Sequence, residues 1–159
     1  MLQLGQAGTG GYEPGVAPIL ADGAVAAVIR FLGGRGGWRP GASVLVDGQE
    51  WVYSSKVREI HGRWVQDPED AARYRARQRG LVRDLWQVDL EGLPVDVRGS
   101  LLTGEHRYLI DGAVVAATAT VDKRLQFHGG AGLTWPQLIF LFWLELSIRR
   151  RNADLPVIV

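Results

Sequence analysis

The segment 133–151, LTWPQLIFLFWLELSIRRR, constrains the fold more than any other part of the chain. Positions 138–144 are apolar at every angle around a helical axis, whereas an ordinary surface helix is apolar on one face only. Such a helix must be buried on all sides, by protein or by lipid. A membrane span needs ~20 apolar residues, and this stretch is shorter and interrupted by polar side chains. The sequence therefore predicts a helix over 134–151 at the centre of the protein core.

Local signals define both ends of this helix. Thr134 and Gln137 have the spacing of a capping box at its start. The arginines 149–151 stand at its end, where the helix dipole favours cations. Glu145 lies within the apolar stretch, and an isolated buried charge is costly. We therefore expect Glu145 to have a partner near the basic end of the helix.

The rest of the chain has the pattern of β-hairpins. Four segments place an acidic residue and a glycine between extended apolar runs: 19–31, 44–55, 87–97 and 108–121. Asp-Gly supplies the positive φ angles of a tight type I′ turn, and Glu91-Gly92 is a weaker version of the same signal. These units predict roughly eight strands, and 56–65 and 124–128 add two more.

Two further segments have their own signals. Residues 1–18 are dense in glycine and proline and predict a flexible N-terminal arm. Residues 67–80 begin with Asp67-Pro68 and end with Gly80, which are start and stop signals for a helix near 68–79. Residues 19–159 then form a single β-rich domain with helices near 68–79 and 134–151.

The expected fold class is mainly β, with some helix. With 159 residues, 47% of them hydrophobic and 22% charged, the chain has the composition of one globular domain. In a β-rich chain that ends in a helix apolar on every side, the strands can bury the helix by surrounding it. We therefore expect a small antiparallel β-barrel, or a curved sheet, around that helix.

One part of the chain resembles a known family. Tyr108, Ile110, Gly112, Val115 and Ala116 match the strand pair that precedes the C-terminal helix in the tubby-like superfamily. Phospholipid scramblases and LURF-one-related proteins belong to this superfamily, and the resemblance covers roughly residues 86–151. It implies a barrel closed around a hydrophobic helix, and a binding module for lipid headgroups or a protein partner. The chain is short for the twelve-stranded barrel of that family.

Arginines supply the candidate ligand-binding residues, because guanidinium groups match phosphate oxygens in a bidentate manner. They are Arg73, Arg75, Arg77, Arg79, Arg149, Arg150 and Arg151. On the predicted middle helix, alternate residues would lie about 200° apart, so the first four would surround that helix. The competing interpretation is structural: a solvated helix for the first four and capping of the C-terminal helix for the last three.

The composition narrows the classes of function. The net charge of +1 argues against a general attraction to nucleic acid or to membranes, so any such attraction must come from local clusters of charge. The expected partner is an anionic membrane surface or a protein rather than nucleic acid. There is no cysteine, and His61, His106 and His128 lack metal-ligand spacing, so we expect no metal and no cofactor. The N-terminus lacks the features of a Sec-type signal peptide, which favours a cytoplasmic protein, peripheral at a membrane.

Two alternatives to a binding module stay open from the sequence. The first is a small enzyme whose site lies in the barrel cavity, although no catalytic signature such as G-x-S-x-G is present. The second is a membrane-tethered protein that uses the helix at 133–151 as its anchor.

Overall fold

The computed structural model describes residues 1–33, 41–80, 85–100 and 102–151. Within these ranges, twelve antiparallel strands form a closed barrel, and one helix follows them. The strands are β1 (Leu2–Leu4), β2 (Val16–Ala21), β3 (Ala24–Leu32), β4 (Gly41–Val46), β5 (Gln49–Ser55), β6 (Glu59–Trp64), β7 (Tyr74–Gln78), β8 (Leu85–Leu90), β9 (Leu93–Gly99), β10 (His106–Ile110), β11 (Ala113–Val121) and β12 (Arg124–Gly129). Each strand pairs with the next in sequence, and β1 pairs with β12 to close the barrel.

The four predicted hairpins are confirmed as β2–β3, β4–β5, β8–β9 and β10–β11. Both turn residues have positive φ in each of them, for example 49° and 86° at Asp22 and Gly23. That is the backbone of a type I′ turn. The weaker Glu91-Gly92 turn receives additional support, because Asp89 Oδ1 accepts a hydrogen bond from the Gly92 amide at 2.6 Å.

The helix α1 (Trp135–Arg151) runs through the barrel, as predicted from its apolar surface. Its capping box is formed: the Thr134 amide donates to Gln137 Oε1 at 2.9 Å, and the Gln137 amide donates to Thr134 Oγ1. Every residue from Leu138 to Arg149 is buried. Among the described residues, no helix combines the length and the apolar character that crossing a bilayer requires.

Alternation along the strands explains how the barrel holds this helix, because every second side chain points inward. Tyr53 meets Phe140 edge to face with ring centroids 5.4 Å apart, and Phe127 meets Phe142 at 6.3 Å. Small inward residues make room elsewhere. A Cβ on Gly62 would lie 3.1 Å from the Phe140 ring, so glycine at this position allows the helix to approach the wall.

The predicted helix near 68–79 is wrong, because β7 (Tyr74–Gln78) occupies its second half. The deciding pattern has a period of two. Tyr74 and Ala76 are buried inside the barrel while the arginines alternate with them on the outside. Pairing of β7 with both β6 and β8 supplies backbone hydrogen bonds that a local helix signal could not outweigh.

The predicted flexible arm at 1–18 is also corrected. Residues Leu2–Leu4 form β1, which fills the gap between β2 and β12, and β2 already begins at Val16. Leu2 is buried and lies opposite Phe127. The two unpredicted strands, β1 and β7, explain why the barrel has twelve strands where about ten were expected.

The antiparallel order gives the barrel two distinct ends. The hairpin end carries the four acid-Gly turns, the connection 65–73 and the start of α1. The loop end carries the connections at 5–15, 56–58, 100–105 and 122–123, together with the last turn of α1. These two names are used below for the two ends.

Candidate functional site

The four arginines of the middle segment share the outer face of the barrel, because residues two apart on a strand point the same way. The expectation that they surround a helix is therefore replaced by a row along β7 and its flanks. Arg73 stands at the hairpin end of this row and Arg79 at the loop end.

Arg73 is committed to the fold. Its Nε donates to Asp67 Oδ2 at 2.7 Å, its Nη1 donates to Glu91 Oε1 at 3.0 Å, and its guanidinium lies 3.4 Å from the centroid of the Trp64 ring. The hydrogen bond from Arg73 lowers the pKa of Asp67 and in turn raises the pKa of Arg73 itself. These contacts connect the segment 65–73 to the wall of the barrel.

Arg77 and Arg79 are exposed but have neighbours. Arg77 Nε lies 3.0 Å from Glu59 Oε1, and Arg79 Nε donates to Gln87 Oε1 at 3.1 Å. His61 holds the other oxygen of Glu59 at 2.8 Å, and this hydrogen bond, together with the charge of Arg77, lowers the pKa of Glu59.

Arg75 differs from the other three. It is half-buried, and its Nε is a buried donor that has no hydrogen-bond partner among the described residues. It lines an outer groove of about 340 Å³ together with Arg77, Gln87, Asp89, Gly92 and Pro94. Asp89 and Glu59 offset the charges of Arg75 and Arg77, so this flank of the barrel is close to neutral.

Charge is distributed unevenly between the two ends of the barrel. Among the described residues, the loop end and the adjoining strand ends carry the exposed basic residues Arg30, Lys56, Arg58, Arg77, Arg79, Arg98, Arg107, Lys123, Arg124 and Arg150. The acidic residues there are Glu13, Glu59, Glu105 and Asp122. The hairpin end carries the basic residues Arg63 and Arg73 and a larger number of acidic residues, which are Asp22, Asp47, Glu50, Asp67, Glu69, Asp70, Asp89, Glu91 and Asp111. The loop end is therefore the basic end of the barrel.

The three arginines at the end of α1 do not act as one group. Arg149 is buried, and its Nε donates to Glu145 Oε1 at 2.7 Å, so it belongs to a cluster in the barrel interior and not to the exposed surface. Arg150 is exposed at the loop end. Arg151 closes the helix, and its side chain lies outside the described part of the structure.

Glu145 has the expected partner near the basic end of the helix, Arg149, and two further partners on β10. The Tyr108 hydroxyl donates to Glu145 Oε2 at 2.6 Å, and His106 Nδ1 lies 2.9 Å from Oε1. Since an ionised carboxylate can only accept, Nδ1 carries the proton. Burial alone would raise the pKa of Glu145, but these hydrogen bonds and the charges of His106 and Arg149 outweigh it, so the pKa is lowered.

This buried cluster fixes the position of the helix inside the wall. Arg149 Nη1 also donates to Thr120 Oγ1 at 2.8 Å, which connects α1 to β11 as well as β10. Rotation or sliding of the helix would separate these partners and leave buried charges unpaired. Sequence reasoning missed His106 and Tyr108. Their spacing of two residues, which puts both on the inner face of one strand, was the available signal.

The histidines do not converge on a metal site. Their neighbours are Glu59 for His61, Glu145 for His106 and Gln126 for His128. Within the described ranges, no group of three or more histidine, aspartate or glutamate residues is arranged to hold a metal ion.

Comparisons with models of known protein families, with curated proteins and with solved structures found no match to this chain.

Proposed function

We propose that this protein is a non-enzymatic module that binds anionic membrane surfaces through the basic loop end of its barrel. The observation that carries the proposal is the separation of charge along the barrel axis. Arg107, Arg124 and Arg150 are exposed at the loop end, whereas Asp22, Asp47 and Asp111 occupy turns at the opposite end. An overall charge of +1 conceals this polarity.

Such a distribution favours a flat, negatively charged partner. Each Lys or Arg close to an anionic bilayer contributes ~1 kcal/mol, and the attraction falls off within about 10 Å in ordinary salt. The acidic hairpin end is repelled by the same surface. The barrel is therefore expected to bind in one orientation, with the loop end toward the lipid.

The packed interior supports a binding role over the cavity enzyme. Side chains of α1, among them Phe140, Leu141 and Phe142, fill the centre of the barrel, and the groove beside Arg75 lies on the outside. The membrane-tethered alternative is also less favoured, because α1 is buried inside the barrel and could enter a bilayer only if the barrel opened. The resemblance to the tubby-like superfamily points to lipid headgroups as well and belongs to this proposal.

The test is sedimentation with vesicles made of equal parts phosphatidylcholine and phosphatidylserine. Arg107→Gln/Arg124→Gln should weaken binding by about 30-fold, since two surface charges at ~1 kcal/mol each are removed. Val25→Glu/Val114→Glu is the matched control, because it changes net charge by the same amount on exposed positions near the hairpin end. Its binding should be close to that of the wild type, and added salt should release both proteins.

Three results would contradict the proposal that the loop end binds anionic membranes. Absence of wild-type binding at low salt would remove the lipid proposal. Equal loss in both double variants would show that net charge, and not the loop end, controls binding. Retained capture of RNA in a parallel assay, with no vesicle binding, would assign the basic end to nucleic acid instead.

A further inference from the structure

Two apolar side chains project from the loop end into solvent. Val57 is 90% exposed and Leu102 is 96% exposed, while no other large hydrophobic residue of the described chain exceeds 56%. Val57 lies on the connection between β5 and β6, and Leu102 on the connection between β9 and β10. Single exposed apolar side chains are common on protein surfaces. These two are distinguished by their nearly complete exposure and by their shared position at the basic end of the barrel.

Both loops are held in shape by their own hydrogen bonds. The Lys56 amide donates to the Glu59 carbonyl at 2.7 Å, which closes a tight turn with Val57 at its tip. In the other loop, the Ser100 hydroxyl accepts from the amides of Leu102 and Thr103 at 3.3 Å, and the Gly104 amide donates to the Ser100 carbonyl at 3.0 Å. Hydrogen bonds among the described residues of each connection therefore support the positions of the two apolar side chains.

Among the described residues, basic side chains outnumber acidic ones beside these tips, where Glu59 and Glu105 are the acidic residues. Lys56 and Arg58 flank Val57 directly, and Arg58 Nη2 donates to the Gly80 carbonyl at 3.1 Å, which places this loop beside Arg79. Arg98 and Arg107 lie on the strands that carry the Leu102 loop. An apolar tip bordered by cations matches the boundary between lipid headgroups and acyl chains, where both kinds of side chain are satisfied.

We propose that Val57 and Leu102 insert into the headgroup region of an anionic bilayer, so that the barrel stands on its loop end with the acidic hairpins facing away. This inference rests on the proposed function and adds to it the inserting residues and the orientation. Four strand spacings separate the two loops along the wall, or about 19 Å. Two contacts that far apart suit an extended surface better than a small ligand.

The chain contains no cysteine, so single cysteines can be labelled with a polarity-sensitive fluorophore without other changes. The variants are Val57→Cys and Leu102→Cys, with Val25→Cys near the hairpin end as control. On vesicles of equal parts phosphatidylcholine and phosphatidylserine, labels at 57 and 102 should shift to shorter wavelength and be quenched by a quencher on the acyl chains. The label at 25 should show neither effect.

A second measurement separates insertion from charge attraction. Val57→Ser/Leu102→Ser keeps every charge and should bind the same vesicles at least about tenfold more weakly, because the apolar contribution to insertion is lost. Its salt dependence should match that of the wild type. Val25→Ser/Val114→Ser removes two exposed valines near the other end and should bind as the wild type does.

The outcomes distinguish this inference from the proposed function. If the wild type binds in a salt-sensitive manner, but labels at 57 and 102 stay in water and the double serine variant binds equally well, insertion is refuted and a purely electrostatic contact remains. A shift at position 25 as large as that at 57 would overturn the orientation. If the wild type does not bind at all, the proposed function fails, and the insertion with it.

Discussion

Tyr108 donates a hydrogen bond of 2.6 Å to Glu145 in the interior of the barrel, joining strand β10 to the central helix. The acceptor is fully buried and also receives Arg149. Hydrogen bonds between fixed partners restrict the rotation and depth of a buried helix more strictly than apolar contacts alone do. This polar contact, with those of His106 and Arg149, selects a single rotation and depth.

Removing the acceptor should therefore be strongly destabilising. Glu145→Ala leaves the Arg149 guanidinium buried without a counterion, which costs about 3–5 kcal/mol of the free energy of unfolding. Urea denaturation followed by tryptophan fluorescence measures this loss. Glu105→Ala, at an exposed position of the loop end, is the control and should change the stability by less than about 0.5 kcal/mol. Equal midpoints for the two variants would contradict the role given to the buried cluster.

The stability of the fold should depend on Glu145 at acid pH. Its pKa in the folded protein lies below the ordinary value of 4.5, so the unfolded chain takes up this proton first as the pH falls. The contribution is complete above about pH 4.5 and is lost as the pH falls through the folded value. The measurement is the free energy of unfolding as a function of pH.

Glu59 and Asp67 also have lowered pKa values and contribute to the same acid limb. The informative quantity is therefore a difference between variants. Glu145→Gln should flatten the acid limb relative to the wild type. Identical slopes in the two proteins would show that the pKa of Glu145 does not differ between the folded and unfolded chain.

The enclosed helix makes a prediction about the core. Leu141→Asp or Phe142→Asp places a carboxylate where no water or partner can reach it, at a cost of several kcal/mol against a total stability of roughly 5–15 kcal/mol. Both variants should be unfolded by circular dichroism. Val114→Asp is the control at an exposed strand position and should remain folded. Soluble, folded protein from both core variants would exclude a helix buried in the barrel.

Closure of the barrel by β1 can be tested at its buried residue. Leu2→Ala should lower the free energy of unfolding by about 2 kcal/mol, since the side chain is buried against β12 and its truncation leaves a cavity. Gln3→Ala, the next residue on the same strand, should have a much smaller effect. If residues 1–18 were an arm, neither substitution would alter the urea midpoint.

The arginine row on β7 should divide into a structural and a functional half. Arg73→Gln breaks the contacts with Asp67 and Glu91 and should lower the melting temperature while leaving vesicle binding unchanged. Arg79→Gln should leave the melting temperature unchanged and weaken binding about fivefold, as expected for one charge near the lipid. The reverse pattern, with Arg73 controlling binding, would move the binding site to the hairpin end.

Much of the architecture follows from short-range features of the chain. The Asp-Gly turns, the capping box of Thr134 and Gln137 and the apolar surface of residues 138–144 are local properties, and each specified its structure correctly. A type I′ turn requires positive φ at two adjacent residues, and a helix without a polar face requires burial on every side. These requirements hold whatever the rest of the protein does.

Where local and distant interactions compete, the tertiary structure decided the outcome. Asp67-Pro68 is a helix start signal and arginine is a good helix former. However, β6 and β8 both pair with β7, and Tyr74 and Ala76 fill the interior from that strand. Likewise, Leu2–Leu4 form a strand because β2 and β12 leave a gap in the barrel, which β1 fills by pairing with both. The same holds for the candidate sites. The sequence shows that Arg149 is a cation four residues after Glu145, but it does not show whether the side chain is buried or exposed. Arg149 is buried against Glu145 because the closed barrel surrounds this part of the helix.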